Sequence, residues 1–235
     1  MTELIKLKNK KPFNIKCKSE TQAEIIIYDE IGPWDDWGEI SAKMVDKELK
    51  GLPSTVNQID VRINSPGGDV FEGFTIYNRL KQHSANITIY VDGLAASIAS
   101  IIAMAGDEIV MGEGALMMIH QPWTWARGNV QDLENTIDRL LDIEEQLVKV
   151  YQKRTGIDRS EIKSMLAAET WLDADQALEK GFVTELFESE EQIAASAIDK
   201  ASWIRNKPRV KEQQNIINEK VSDFKKDIER FLARK

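Results

Sequence analysis

Histidine occurs twice and cysteine once in these 235 residues, and those two scarcities set the first limits. A lone cysteine, Cys17, cannot form an internal disulfide, which fits a reducing compartment. It stands among lysines ahead of the first strongly apolar run, a poor setting for a nucleophile. His83 and His120 are far apart and lack ligand spacing with each other or with Cys17, so no metal and no other cofactor is expected. A Gly-x-Gly-x-x-Gly or Walker pattern is missing, which argues against a nucleotide site. Long uncharged apolar runs are missing too, which excludes a membrane-spanning helix. The start, Met1 to Lys6, lacks the apolar core of a signal peptide, so a cytoplasmic protein is expected. Positive charge is in deficit: 31 Lys and Arg against 39 Asp and Glu give a net charge of −8. Binding to nucleic acid through bulk electrostatics is therefore not expected.

What is present is an ordinary core-forming composition, 42% hydrophobic and 30% charged, enough for one sizeable domain with an appendage. Glu24 to Ile31 is β-rich and stops at Gly32-Pro33. A helical pattern from about Trp37 to Lys50 follows, then a strand over Gln58 to Asn64 that runs into Ser65-Pro66-Gly67-Gly68. A helix spans about Asp69 to Gln82, with Phe74, Ile76, Tyr77 and Leu80 available for packing. The unit then repeats: strand Ile87 to Val91, a turn over Asp92 to Ala96, and an apolar helix from Ser97 to Ala105. Glu108 to Met111 and Ala115 to His120 read as short strands. Alternating strands and helices predict an α/β layer fold. Two strands ending in glycine-bearing turns that open helices place both turns at one sheet edge, where such folds carry their sites.

From about Asn129 to Arg154 the spacing predicts a helix of about 40 Å, too long for the domain's own core and therefore projecting. A shorter helix, about Arg159 to Ala168, precedes Trp171-Leu172. Ala174 to Lys180 is helical with Gly181 at its C-cap, and Phe182 to Phe187 is a last strand. Residues 201–235 carry ten Lys and Arg against five Asp and Glu, a net +5 that leaves −13 for residues 1–200. There Ile217, Val221, Phe224, Ile228 and Phe231 predict a short amphipathic helix. The expected organisation is a polar segment 1–23, a main domain 24–188, and a linker with a basic tail over 189–235.

Three constellations carry chemistry. Ser97, beside Gly93, Ala95 and Ala96, stands at a helix start. A serine there can be a plain N-cap. Its small neighbours also leave room for a substrate carbonyl, and the helix N-terminus offers N–H groups to a developing oxyanion. Ser100, one turn on, is expected to be buried. Gly67-Gly68 either turns the chain through positive φ or lines an oxyanion hole with side-chain-free N–H groups. Serine needs a base to take its proton. His120 closes a strand at the same edge and is chosen, whereas His83 reads as a cation at a helix C-terminus. The acid that would orient the imidazole is left open among Glu169, Asp173 and Asp175.

Taken together, Ile63-Asn64-Ser65-Pro66-Gly67-Gly68, Gly93-Leu94-Ala95-Ala96-Ser97, Met118-Ile119-His120-Gln121-Pro122 and Trp171 to Val183 resemble four signature blocks of the Clp protease proteolytic subunit, in family order, over about residues 24–187. The resemblance implies a crotonase-like fold of repeated ββα units with a long projecting helix. It implies Ser97 as nucleophile, His120 as general base, and Gly68 and Ile98 as donors of the oxyanion-hole N–H groups. Glu169 takes the acid's position, two residues before Trp171, where the family usually has aspartate. It further implies two stacked heptameric rings joined through the long helix, with protein or peptide substrates cleaved inside. The first 23 residues and the basic tail depart from the family pattern. They look more like the Clp-related proteases of phage and prophage head-assembly clusters, so a Clp-type ATPase partner is left open.

The function expected is that of a serine endopeptidase. Two alternatives stand beside it: a crotonase-like acyl-CoA hydratase or isomerase, and a Clp-like regulatory or structural subunit without activity. A membrane-linked serine–lysine peptidase shares the Ser-Pro-Gly-Gly turn but not His120.

Overall fold

The computed structural model describes residues 13–34 and 38–187. The expectations for residues 1–12, for the helix start near Trp37, and for the linker and basic tail beyond 187 lie outside them.

The chain runs β1 (Phe13–Cys17), β2 (Gln22–Ile27), α1 (Ala42–Gly51), β3 (Gln58–Ser65), α2 (Val70–Lys81), β4 (Asn86–Ala96), α3 (Ile98–Ala103), β5 (Glu108–Gly112), β6 (Leu116–Ile119), α4 (Val130–Thr155), α5 (Arg159–Ala167), β7 (Thr170–Leu172), α6 (Ala174–Glu179) and β8 (Glu185–Phe187). The sheet order is β1-β2-β3-β4-β5-β8. Strands β2 to β5 and β8 pair in parallel, while β1 is antiparallel to β2. The central strands alternate with period two: one face packs into the core, and the other is polar, with Arg62 donating to Asp92 across it. Ile25, Ile27, Ile59, Val61, Ile63, Ile87, Ile89 and Val91 are all buried.

Strand β4 forks the sheet. Its first half, Thr88 to Val91, pairs with β5, and its last residues, Leu94 to Ala96, pair in parallel with β6. The turn expected over Asp92 to Ala96 is therefore strand. Gly93 suggests a break locally, but β6 supplies the ladder partners that keep the backbone extended. Strand β6 in turn pairs antiparallel with β7. Strand β1 is a further departure, since it lies in the segment expected to be polar, yet Phe13, Ile15 and Cys17 alternate with Asn14 and Lys16 and Ile15 packs against the core. Pairing with β2 gives it a place, and Cys17 at its end is exposed.

Helix α1 starts at Ala42, later than expected, because Ile40 bridges to Ile31 and Ser41 caps the helix by accepting from the Met44 N–H at 3.2 Å. Helix α3 is buried on every side, as an all-apolar helix must be. Gly73 of α2 lets it approach, since a Cβ at that position would overlap the Ile98 side chain.

Helix α4 is sharply bounded. Asn129 and Asp132 form a capping box, and Gly156 closes it in the left-handed conformation. Only its second half joins the core, through Glu144, Leu147, Val148 and Tyr151. In its first half Val130, Leu133, Ile137 and Leu141 are 41–72% exposed on one face. Among the described residues, no helix is long and apolar enough to cross a membrane.

Candidate active site

The site lies at the C-terminal edge of β3 and β4 and is built mainly by backbone bonds. Ser65 ends β3, and its hydroxyl donates to the Asp29 carbonyl at 2.6 Å and accepts the Gly67 N–H at 3.2 Å. Gly67 and Gly68 then take φ of 93° and 143°, a region that disfavours any side chain. A Cβ on Gly67 would stand 2.6 Å from the Ala96 carbonyl oxygen, 2.8 Å from Ser97 Cβ and 3.1 Å from the Ile98 nitrogen. A Cβ on Gly68 would overlap the Ile31 carbonyl. Two bonds, Ile31 N–H to Gly67 O at 2.7 Å and Asp69 N–H to Ile31 O at 2.8 Å, pin the turn. Sequence reasoning left the glycine pair as either a positive-φ turn or N–H donors, and both glycines do take positive φ. The structure adds that Gly67 is needed for close approach to the serine.

Ser97 follows β4 with φ 55° and ψ −128°, a conformation L-residues rarely adopt. This sharp strand-to-helix turn presents its side chain outward from the sheet edge. The plain N-cap alternative fails here, because the Ser97 side chain makes no cap hydrogen bond. Its Oγ instead lies 2.8 Å from His120 Nε2. Ile98 is the first residue of α3, where helix geometry leaves an N–H without an intrahelical acceptor.

His120 is held on both sides. Before it, the Met118 carbonyl accepts the Ser97 N–H at 2.8 Å. After it, Gln121 donates its N–H to the Leu166 carbonyl at 3.1 Å and its side-chain amide to the buried Glu144 at 2.7 Å. Glu144 is the one acidic residue among the buried positions of α4, and Gln121 is its partner. Tying it to Gln121 needed a contact between residues far apart in the chain.

Glu169 stands just before β7, at φ 50°, with its N–H on the same Leu166 carbonyl at 3.2 Å. The last pair of the β6–β7 ladder is Ile119 with Thr170. Continued by one residue, that register would set His120 against Glu169. Asp173 is otherwise engaged: its carboxylate caps α6 by accepting the Gln176 N–H at 2.8 Å. Asp175 is exposed in the first turn of α6.

His83 corrects an expectation. Its Nδ1 accepts the Ala85 N–H at 3.0 Å, so this nitrogen is unprotonated. Burial, with a smaller push from the Arg79 charge, holds its pKa below the usual histidine value. It is a neutral loop acceptor, not a helix-end cation.

A parallel sheet forked at β4, a glycine turn against a strained serine, and a histidine strand bonded to that serine define a family. The chain belongs to the Clp protease family, whose family model matches residues 20–190. Relatives include the ATP-dependent Clp protease proteolytic subunit 1 of Protochlamydia amoebophila, 33% identical over 138 residues, 57% of this chain and 67% of that protein. The ATP-dependent Clp protease proteolytic subunit of Porphyromonas gingivalis is 27% identical over 157 residues, 64% of this chain and 69% of that one. That of Deinococcus radiodurans is 29% identical over 133 residues, 56% and 65% respectively. The chain thus spans about two thirds of the length of these relatives. A point mutant of ClpP1 from Listeria monocytogenes has the same fold, with a TM-score of 0.62 and 26% identity over 71% of this chain and 92% of that one.

Proposed function

We propose that this protein is a serine endopeptidase of the Clp proteolytic-subunit type. The observation that carries the reading is the 2.8 Å separation of Ser97 Oγ and His120 Nε2 at a strained strand-to-helix turn. His120 takes the hydroxyl proton as Ser97 Oγ attacks the scissile carbonyl. The peptide N–H groups of Gly68 and Ile98 receive the oxyanion, and Glu169 orients the imidazole. His120 then returns the proton to the leaving amine, and water hydrolyses the acyl-enzyme by the same route. The serine–histidine pair favours this reading over an acyl-CoA hydratase, which does not need it, and over an inactive subunit.

The exposed apolar face of α4 supports self-assembly, because Val130, Leu133, Ile137 and Leu141 have no reason to face water in a working monomer. We assign that face to contacts between stacked heptameric rings that enclose the sites. The departures at both ends of the sequence support protein substrates of a phage or prophage particle, capsid or scaffold, with the ATPase partner of other members left unassigned. Turnover of a small fluorogenic peptide by the purified protein, lost in Ser97→Ala, tests the reading. Parental turnover in that variant overturns it.

A further inference from the structure

One buried hydroxyl pair is not used by the mechanism above. Ser100, in α3, directs both its donors at a single acceptor: its N–H at 3.0 Å and its Oγ–H at 2.5 Å reach the Ser97 carbonyl oxygen. Its oxygen is in turn 2.8 Å from the hydroxyl of Tyr151. The single Ser100 hydroxyl proton points to Ser97, so Tyr151 is the donor in this second bond. The chain therefore has one direction, from Tyr151 O–H to Ser100 O–H to the Ser97 carbonyl. Tyr151 comes from α4, 51 residues away in sequence, and is 1% exposed, packed 5.7 Å from the Phe182 ring. Burial raises its pKa, which keeps the proton on the phenol.

A helical serine often bonds back to a carbonyl one turn earlier merely to satisfy its own hydroxyl. Here a second hydroxyl has been brought into a dry core to reach it, where a phenylalanine would fill the same volume without a polar group to satisfy. What the pair holds is also particular. The carbonyl of Ser97 and the N–H of Ile98 belong to one peptide unit. That unit is planar and trans, so its C=O and N–H point in opposite directions. Holding the carbonyl therefore aims the N–H. The same unit follows the strained φ of Ser97, a conformation that persists only when its surroundings over-determine it. The Ser97 N–H is bonded to Met118 on one side, and Ser100 supplies the restraint on the other.

We propose that Ser100 and Tyr151 are positioning residues for the oxyanion hole, locking the Ser97–Ile98 peptide so that the Ile98 N–H faces the developing oxyanion. This inference rests on the serine-peptidase reading. It also gives α4 a second task, because the helix with the exposed apolar face delivers the hydroxyl that sets the peptide.

The test measures kcat and KM on a small peptide ester or amide, and inhibition by a peptide boronic acid that forms a tetrahedral adduct on serine. The proteins are the parent, Ser100→Ala, Tyr151→Phe, the double variant and Ser97→Ala. Losing an oxyanion donor outright costs about 10²–10³ in kcat, so mis-aiming one is expected to cost about tenfold in Ser100→Ala and a few-fold in Tyr151→Phe. KM should stay within twofold, and boronate affinity should fall in step with kcat/KM. Tyr151 acts through Ser100, so the double variant should be no worse than Ser100→Ala alone. Parental kcat in both single variants, or additive losses in the double, overturns the proposal. Should Ser100→Ala not fold, the volume-preserving Tyr151→Phe decides by the same criteria of kcat, KM and boronate affinity. Turnover persisting in Ser97→Ala defeats the peptidase reading itself. An inactive Ser97→Ala alongside parental Ser100→Ala and Tyr151→Phe defeats only the positioning role.

Discussion

Ser97 donates its backbone N–H to the carbonyl of Met118 at 2.8 Å, two residues before His120. The bond extends the parallel pairing of β4 with β6 by one step, past Ala96 with Met118. The serine and histidine side chains thus meet because a backbone ladder brings their strands' ends together. Removing the imidazole leaves that ladder intact. His120→Ala is expected to fold normally and lose activity by about 10²–10⁴-fold, the usual contribution of a general base. Steady-state kinetics with a thermal melt alongside checks both halves of that expectation.

The acid is separable from its neighbour in sequence. Glu169 and Gln121 share the Leu166 carbonyl, whereas Asp173 caps α6. Glu169→Ala should lower kcat by about 10²-fold or more with little change in unfolding free energy. Asp173→Ala should leave kcat near the parental value and cost about 1 kcal/mol of stability, the worth of a lost N-cap. Denaturant titration and kinetics on the two variants distinguish them, and the opposite pattern would move the acid to Asp173.

Gly67 has no room for even a methyl group, with the Ala96 carbonyl and Ser97 Cβ at 2.6 and 2.8 Å from where it would stand. Gly67→Ala also places a side chain at φ 93°. It should lose activity and more than about 1 kcal/mol of stability, because the native backbone is incompatible with alanine. A crystal structure of the variant should show the turn displaced from the serine.

His83 predicts an acid-side pH effect. Its folded pKa is lowered, so the unfolded chain binds the proton more readily. The stability it contributes is present above its unfolded pKa of about 6.5 and is lost as pH falls through the lower folded value. His83→Asn keeps an acceptor for the Ala85 N–H but cannot titrate. Urea denaturation at pH 7.5 and pH 5 should show a smaller acid loss in the variant than in the parent, and equal losses would count against the assignment.

On the α4 face, Ile137→Asp and Leu141→Asp alter residues that are 57% and 55% exposed. On the proposed ring assembly, the subunit should fold as before while the oligomer the parent forms breaks down in sedimentation velocity. A particle of unchanged size would place the self-contact elsewhere.

Much of this architecture was legible from sequence because local chemistry marks it. Asn129 and Gly156 bound α4, and the period-two alternation of β3 and the first half of β4 marks strands with one face in the core. Ser97 and His120 were visible because only two histidines exist and small residues crowd one serine. What escaped was long-range. Strand β4 continues through Gly93 because β6 pairs with it. The alternation of β1 over Phe13–Cys17 is too brief to stand out alone, and pairing with β2 holds it. The engagement of Glu144 with Gln121 and of Tyr151 with Ser100 spans 23 and 51 residues, and no local periodicity records such pairs.

The central claim is that Ser97 is the nucleophile. The most direct measurement is intact-mass analysis after treatment with a fluorophosphonate, on the parent and on Ser97→Ala, with sedimentation velocity to confirm that both assemble alike. The account predicts one adduct per parent subunit, mapped to Ser97 by peptide sequencing, and none on the variant. An adduct of equal yield on Ser97→Ala, or on a different residue of the parent, would contradict it.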